Sequence, residues 1–167
     1  LIINQKLEKE IFIFFHMKGT LYITQELDHL GIVAGVCEKI NLIEVIDRFV
    51  GHSDRTVSIG EAIQAMILNA LGFVGRPLYL FPEFMKNKPI DRLIRQGLKA
   101  EDFNEYSLGR ALDITYEKGV TEIFSSLASK ALKVFNIEIG GQQLDSTSFL
   151  FHGEYDNAST DENAISI

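Results

Sequence analysis

Cysteine is nearly absent from this sequence, and long apolar stretches do not occur. Among 167 residues the only cysteine is Cys37, which cannot form an intrachain disulfide. This excludes a disulfide scaffold and favours a reducing compartment, the cytoplasm. No segment reaches the roughly 18–20 uninterrupted apolar residues of a membrane span, so no membrane partner is expected. The hydrophobic fraction of 46% and the charged fraction of 23% are typical of a globular protein.

Several signatures of known sites are also missing. The pair Gly72 and Gly75 lacks the Lys-Ser or Lys-Thr ending of a phosphate loop, and no Gly-x-Ser-x-Gly hydrolase elbow occurs. The histidines His16, His29 and His52 are scattered and have no zinc-ligand spacing. These absences argue against a nucleotide-binding loop, a serine hydrolase of that type and a zinc site.

The N-terminal residues 1–16 do not have the pattern of a signal peptide. Their apolar run, Ile11–Phe15, is only five residues long, follows acidic residues and precedes no small-residue cleavage site. Met17 is a plausible natural start. We expect residues 1–16 to be a non-native or disordered leader.

The net charge of −7 argues against a general nucleic-acid binder, but the charge is unevenly distributed. Residues 74–99 contain six basic and two acidic residues, whereas residues 100–167 contain four basic and twelve acidic residues. If the chain binds DNA, the middle stretch is the expected footprint; a solvated helix face is the alternative. The candidate DNA-binding residues are Arg76, Lys86, Lys88, Arg92, Arg95 and Lys99, joined by Arg110.

Hydrophobic periodicity and capping residues predict helices over most of the chain. Ser58 and Glu61 have the spacing of a capping box, which predicts a helix from Ile59 to about Phe73. Two short helices broken near Asn41 are expected before it. Short helical turns beginning at Pro82 and Pro89 are expected after it, followed by helices over 107–118 and 121–135. These elements form a predicted helical domain over residues 17–136.

After Asn136 the apolar pattern changes to a period of two, which predicts a β-strand around Asp145. A turn over residues 153–163 and a second strand over 164–167 would complete a hairpin. A lone buried carboxylate is costly unless a cation compensates it, so Asp145 is a candidate ligand for Mg²⁺ or Mn²⁺. The alternative is an acid at a strand end, hydrogen-bonded to neighbouring Ser or Thr side chains.

Several blocks of the sequence resemble prokaryotic insertion-sequence transposases of the Asp-Asp-Glu class. Residues 144–149 and 152–155 resemble the first catalytic strand of that family. The similarity continues upstream in residues 27–33, 68–73, 75–79 and 107–113. The matched blocks occur in one order between Met17 and the C-terminus, which makes the resemblance specific.

The resemblance implies a mainly α chain: a helical N-terminal domain followed by the first β-hairpin of a truncated RNase H-like α/β core over residues 137–167. It also implies that Asp145 is the first of three metal-binding catalytic acids. The expected partner of the parent enzyme is DNA, at transposon terminal inverted repeats. The second Asp and the Glu do not follow in this chain, so we expect the chain alone to be inactive and to bind no metal. The alternative is a non-catalytic helical DNA-binding or dimerisation module, with a homodimer as its assembly.

A helix-turn-helix is a further hypothesis for DNA recognition. Its helices would be residues 90–97 and 107–118, with Ser107 and Arg110 facing the bases. Glu105, Asp113 and Glu117 would repel phosphates, so a purely packing role for the two helices is the stronger interpretation.

Overall fold

A computed structural model describes residues 24–51, 55–73 and 75–138. The chain divides into two compact units, Leu1–Ile137 and Glu138–Ile167, and the description concerns the first. The mainly helical fold class is confirmed for these residues. The predicted leader and β-hairpin, including Asp145, lie outside them. No helix in the described ranges is long and apolar enough to cross a membrane.

Seven helices and two 3₁₀ turns follow one another in the described part of the chain. The longest are α3, α6 and α7, and α4 and α5 are single turns. Their bounds are α1 Leu30–Lys39, α2 Leu42–Val50, α3 Ile59–Leu71, a 3₁₀ turn Leu78–Leu80, α4 Phe81–Met85, α5 Ile90–Leu93, a 3₁₀ turn Ala100–Asp102, α6 Glu105–Glu117 and α7 Val120–Val134.

Helix α3 is the centre of the domain, because α1, α2 and α6 all pack against it. It begins where the sequence predicted. The Ser58 hydroxyl accepts a hydrogen bond from the Glu61 amide (3.1 Å), and the Glu61 carboxylate accepts one from the Ser58 amide (2.9 Å). The side chains of Ala65 and Leu68 are completely buried, as expected for a helix surrounded by others.

One asparagine, Asn41, and one glycine, Gly60, fix the geometry of α1, α2 and α3. Asn41 has a positive φ of 51° and joins α1 to α2 at the predicted break. Gly60 lies so close to α2 that a Cβ atom there would be 2.5 Å from the carbonyl oxygen of Ile43. The Gly60 amide also donates a hydrogen bond to Asp47 (2.7 Å). Glycine at position 60 therefore sets how closely α2 and α3 pack.

The second half of the domain is built on large apolar side chains. Phe81, Met85, Phe103 and Leu108 are completely buried and form one core with residues of α2 and α3. Cys37 also belongs to this core: its thiol is buried, which raises its pKa.

The helix-turn-helix hypothesis is not supported by the packing of its two segments. Helix α5 has only four residues and packs against α1, whereas α6 packs against α3 and α7. Helix α6 also begins earlier than predicted, at Glu105, because the Asn104 side chain accepts a hydrogen bond from the Ser107 amide (3.0 Å). Ile90 and Leu108 are both buried in one hydrophobic core, which agrees with the interpretation that these segments serve packing.

The close contact at Gly60 leads to a stability prediction. Gly60→Ala should destabilise the chain by about 3 kcal/mol, because backbone atoms of α2 cannot move aside as a side chain can. Gly35→Ala is the matched control, since it is also a helical glycine but a Cβ there meets nothing within 4 Å. The control should stabilise by about 0.5–1 kcal/mol through helix propensity. Urea unfolding measures both; equal midpoints for the two variants would contradict the packing argument.

Candidate nucleic-acid interface

Two adjacent grooves meet at the start of α3, and four arginines line them. The first has a volume of about 520 Å³ and is lined by Arg48, Arg55 and Arg95. The second, of about 460 Å³, is lined by Arg55 again and by Arg110. Because Arg55 lines both, the grooves form one surface, which we call the arginine groove, defined by Arg48, Arg55, Arg95 and Arg110.

Two long helices begin in this groove. Ser58 caps α3 and Asn104 caps α6, and both caps line the second groove. The N-terminus of a helix carries a partial positive charge of about half an elementary charge. Its macrodipole therefore adds to the arginine side chains and favours an anionic ligand at this surface.

The acidic side chains of the groove are mostly engaged with the protein itself. Asp47 accepts a hydrogen bond from the Gly60 amide, and Asp102 accepts one from the Lys99 amide (2.8 Å). Glu61 is buried and paired with Arg95. Glu101 is the remaining acid of the lining and is exposed. Four carboxylates thus face four arginines in the lining. Arg48 and Arg95 have ion-pair partners, whereas Arg55 and Arg110 are exposed and have none among the described residues.

The pair formed by Arg95 and Glu61 joins the segment after α5 to the start of α3. Arg95 Nε lies 2.5 Å from Glu61 Oε1, and Arg95 Nη2 lies 3.3 Å from Oε2. The same Nη2 donates to the Thr56 carbonyl oxygen (3.0 Å). The hydrogen bond to Glu61 raises the pKa of the Arg95 guanidinium. Arg95 is half exposed while Glu61 is buried, so Arg95 both holds the groove together and presents charge in it.

Lys88 was predicted as a DNA contact on an exposed surface, but its side chain lies inside the domain. It is buried, and its Nζ contacts Asp28 (2.9 Å) and Glu26 (3.3 Å). Burial alone would lower the pKa of Lys88, but the hydrogen bonds to Asp28 and Glu26 outweigh it and raise the pKa. Its ammonium also lies 5.7 Å from the centre of the Phe84 ring. Lys88 thus fastens the segment before α1 to the turn after α4.

The remaining predicted cations are exposed but do not gather in the arginine groove. Lys86 lines a small groove with Gln25, and Arg92 lines a large groove between α1, α2 and α5. Arg76 and Lys99 are exposed on loops. The basic stretch of residues 74–99 is therefore spread over several surfaces, and only Arg95 of this stretch lines the arginine groove.

Sequence reasoning missed Arg48 and Arg55. Arg48 belongs to α2 and bonds the exposed Glu44 (2.8 Å), a type of surface pair that contributes only about 0.3–0.5 kcal/mol. Arg55 precedes the cap of α3, where a cation is unfavourable toward the helix dipole. A basic residue just before a predicted helix start was the signal that would have identified it.

The predicted metal site cannot be located on these helices. Asp145 lies outside the described residues. In residues 24–51, 55–73 and 75–138, no three histidine, cysteine or acidic side chains form a group able to hold a metal ion.

The Arg95–Glu61 pair can be tested by removing each partner. Arg95→Met should destabilise the chain by about 2–4 kcal/mol, because it leaves the buried Glu61 carboxylate without a counter-charge. Glu61→Gln should cost less, about 1–1.5 kcal/mol, since glutamine retains the capping box.

Thermal and urea unfolding would measure both variants. Arg92→Met serves as the control, because Arg92 is exposed and has no ion-pair partner among the described residues. It should change stability by less than about 0.5 kcal/mol. A neutral Arg95→Met variant would show that the pair does not hold the groove.

Residues 22–129 match a family described as Domain of unknown function (DUF4277). No curated protein and no solved structure matches the chain. The matched range is about two thirds of the chain and includes all of α1 to α6 and most of α7. The chain therefore belongs to the DUF4277 family.

Proposed function

We propose that this helical domain binds DNA through the arginine groove, as part of an insertion-sequence transposase of the Asp-Asp-Glu class. The observation that carries the proposal is that the exposed Arg55 and Arg110 line one groove together with the N-terminal caps of α3 and α6. Arginine side chains and helix N-termini are two of the groups that contact DNA phosphates most often. Their combination at one surface favours a polyanion as the ligand.

The order of the matched sequence blocks supports the transposase assignment. The blocks of similarity quoted above extend from the helical domain to Asp145, in the order found in that family of enzymes. In the proposed parent enzyme the helical domain binds transposon ends, and the RNase H-like core cleaves the DNA and transfers the strand.

Asp145 is the residue of this chain that we assign to the chemistry. As the first of three acids, it would help to hold Mg²⁺ or Mn²⁺. The bound metal ions would supply activation of the attacking water or hydroxyl and stabilisation of the leaving oxygen. The arginine groove contributes binding and orientation of the DNA, which is independent of the metal.

The binding step has a distinct salt dependence. Each phosphate contact contributes about 0.9 to the slope of log K against log salt concentration. Arg55→Gln and Arg110→Gln should therefore each reduce the magnitude of that slope by about 1. Fluorescence anisotropy with a labelled duplex that carries a terminal inverted repeat, between 50 and 200 mM salt, would measure it.

The matched control for this experiment is Lys118→Gln. Lys118 is an exposed cation at the C-terminal cap of α6 and lines neither part of the groove, so the same charge is removed outside the groove. The control should bind with the wild-type slope. Identical slopes for all four proteins, or binding that is insensitive to salt, would reject the arginine groove as the DNA contact.

The catalytic part of the proposal needs a chain extended through the later Asp and Glu. In such a protein, Asp145→Asn should abolish Mg²⁺- or Mn²⁺-dependent cleavage at transposon ends while DNA affinity stays unchanged. Gel electrophoresis of nicked products would measure cleavage. Full cleavage by the variant would contradict the role of Asp145; DNA binding without cleavage by the unmodified extended protein would favour the non-catalytic module.

A further inference from the structure

The side chain of Phe73 is largely exposed to solvent, although phenylalanine is usually buried. It follows the C-terminal end of α3 by two residues, and 82% of its surface is exposed. Single exposed apolar side chains are normal in soluble proteins. The surroundings of Phe73 are nevertheless unusual, because both sides of its segment are fixed by specific polar contacts.

His29 supports the phenyl ring from behind. The two rings are 4.4 Å apart between centroids, with an interplanar angle of 61°, an edge-to-face arrangement. The imidazole is itself fixed, since its Nε2 lies 2.6 Å from the Leu71 carbonyl oxygen. Because a carbonyl oxygen only accepts, Nε2 carries the hydrogen and donates a hydrogen bond to it. The other ring nitrogen, Nδ1, is buried without a hydrogen-bond partner in the described residues. This contact orients the Phe73 ring while leaving most of it open.

Asn69 fixes the segment on the other side. Its side-chain amide donates to the Arg76 carbonyl oxygen (2.6 Å) and accepts from the Arg76 amide (2.8 Å), so it pairs with the backbone as a neighbouring strand would. The Arg76 guanidinium is left exposed. Phe73 and Arg76 thus present an aromatic ring and a cation that has no ion-pair partner among residues 24–51, 55–73 and 75–138.

Arg76 is the cation that this loop presents among its described residues 72, 73 and 75–77. The acids Asp28 and Glu26, which precede His29, both contact the buried Lys88, which balances one of their two negative charges. An anionic ligand at Phe73 therefore depends on Arg76 for its counter-charge.

We propose that Phe73 and Arg76 form a binding site for single-stranded DNA, in which an unpaired base stacks on the phenyl ring and Arg76 contacts the adjoining phosphate. An aromatic side chain with neighbouring basic groups is the usual basis of single-strand binding. The inference rests on the proposed DNA-binding function and adds a strand type and a location to it. Helix α3 has 13 residues, so the site lies about 20 Å from the arginine groove along the helix axis.

A tryptophan reporter tests this site directly, because the chain contains no tryptophan. Phe73→Trp should lose fluorescence on titration with oligothymidylate, since a stacked base quenches the indole. Phe124→Trp is the control: Phe124 is 69% exposed on α7, away from the proposed site, and its emission should not change. In parallel, Phe73→Ala should weaken oligothymidylate binding by about 5- to 150-fold, and Phe73→Tyr should restore it.

The outcomes separate this inference from the proposed function. If Phe73→Trp emission is unchanged by oligothymidylate while duplex binding still depends on Arg55 and Arg110, the single-strand site is rejected and the arginine groove stands. If the emission shifts with protein concentration in the absence of DNA and sedimentation shows self-association, the surface is a contact between copies and the site is also rejected. Failure to bind either DNA would reject both. Circular dichroism melts should be equal for all variants, because Phe73 is exposed.

Discussion

The rest of the domain depends on the two contacts of the buried Glu61 carboxylate, with the Ser58 amide and with the Arg95 guanidinium. It completes the cap of α3 and also forms an ion pair with Arg95, so one side chain fixes the start of the central helix and the segment that follows α5. A buried carboxylate contributes stability only when its hydrogen bonds and counter-charge are all present. The walls of the arginine groove are held in place by the same contacts. The fold and the candidate DNA surface therefore share one electrostatic anchor.

Helix α3 connects the two proposed DNA contacts. The arginine groove lies at its N-terminus and Phe73 follows its C-terminus, about 20 Å away. Duplex DNA advances about 3.4 Å per base pair along its axis, so the helix corresponds to roughly six base pairs. A DNA end that is paired at the arginine groove and unpaired about 20 Å away would reach both proposed sites. The two proposed sites would then bind the paired and unpaired parts of one DNA end.

Local features were readable from the sequence, whereas tertiary ones were not. The capping box at Ser58, the break at Asn41 and the α3 helix follow from short-range chemistry, and the structure has them. The pairing of Glu61 with Arg95 links residues 34 positions apart, which no local pattern reveals. Lys88 is buried because two acids near α1 happen to meet it, although composition predicts exposed lysines. A charge count along the chain therefore located a basic stretch but not the surface where arginines gather.

The lone cysteine has a consequence for following the motions of this domain. Cys37 is buried in α1 with a raised pKa, and a thiol reacts with alkylating reagents only as an accessible thiolate. Cys37 is 4% exposed and borders the large groove between α1, α2 and α5, so a maleimide reaches the thiol when α1 moves at this groove. Since the sequence has no second thiol that could react, the rate of maleimide labelling measures how often this helix opens locally.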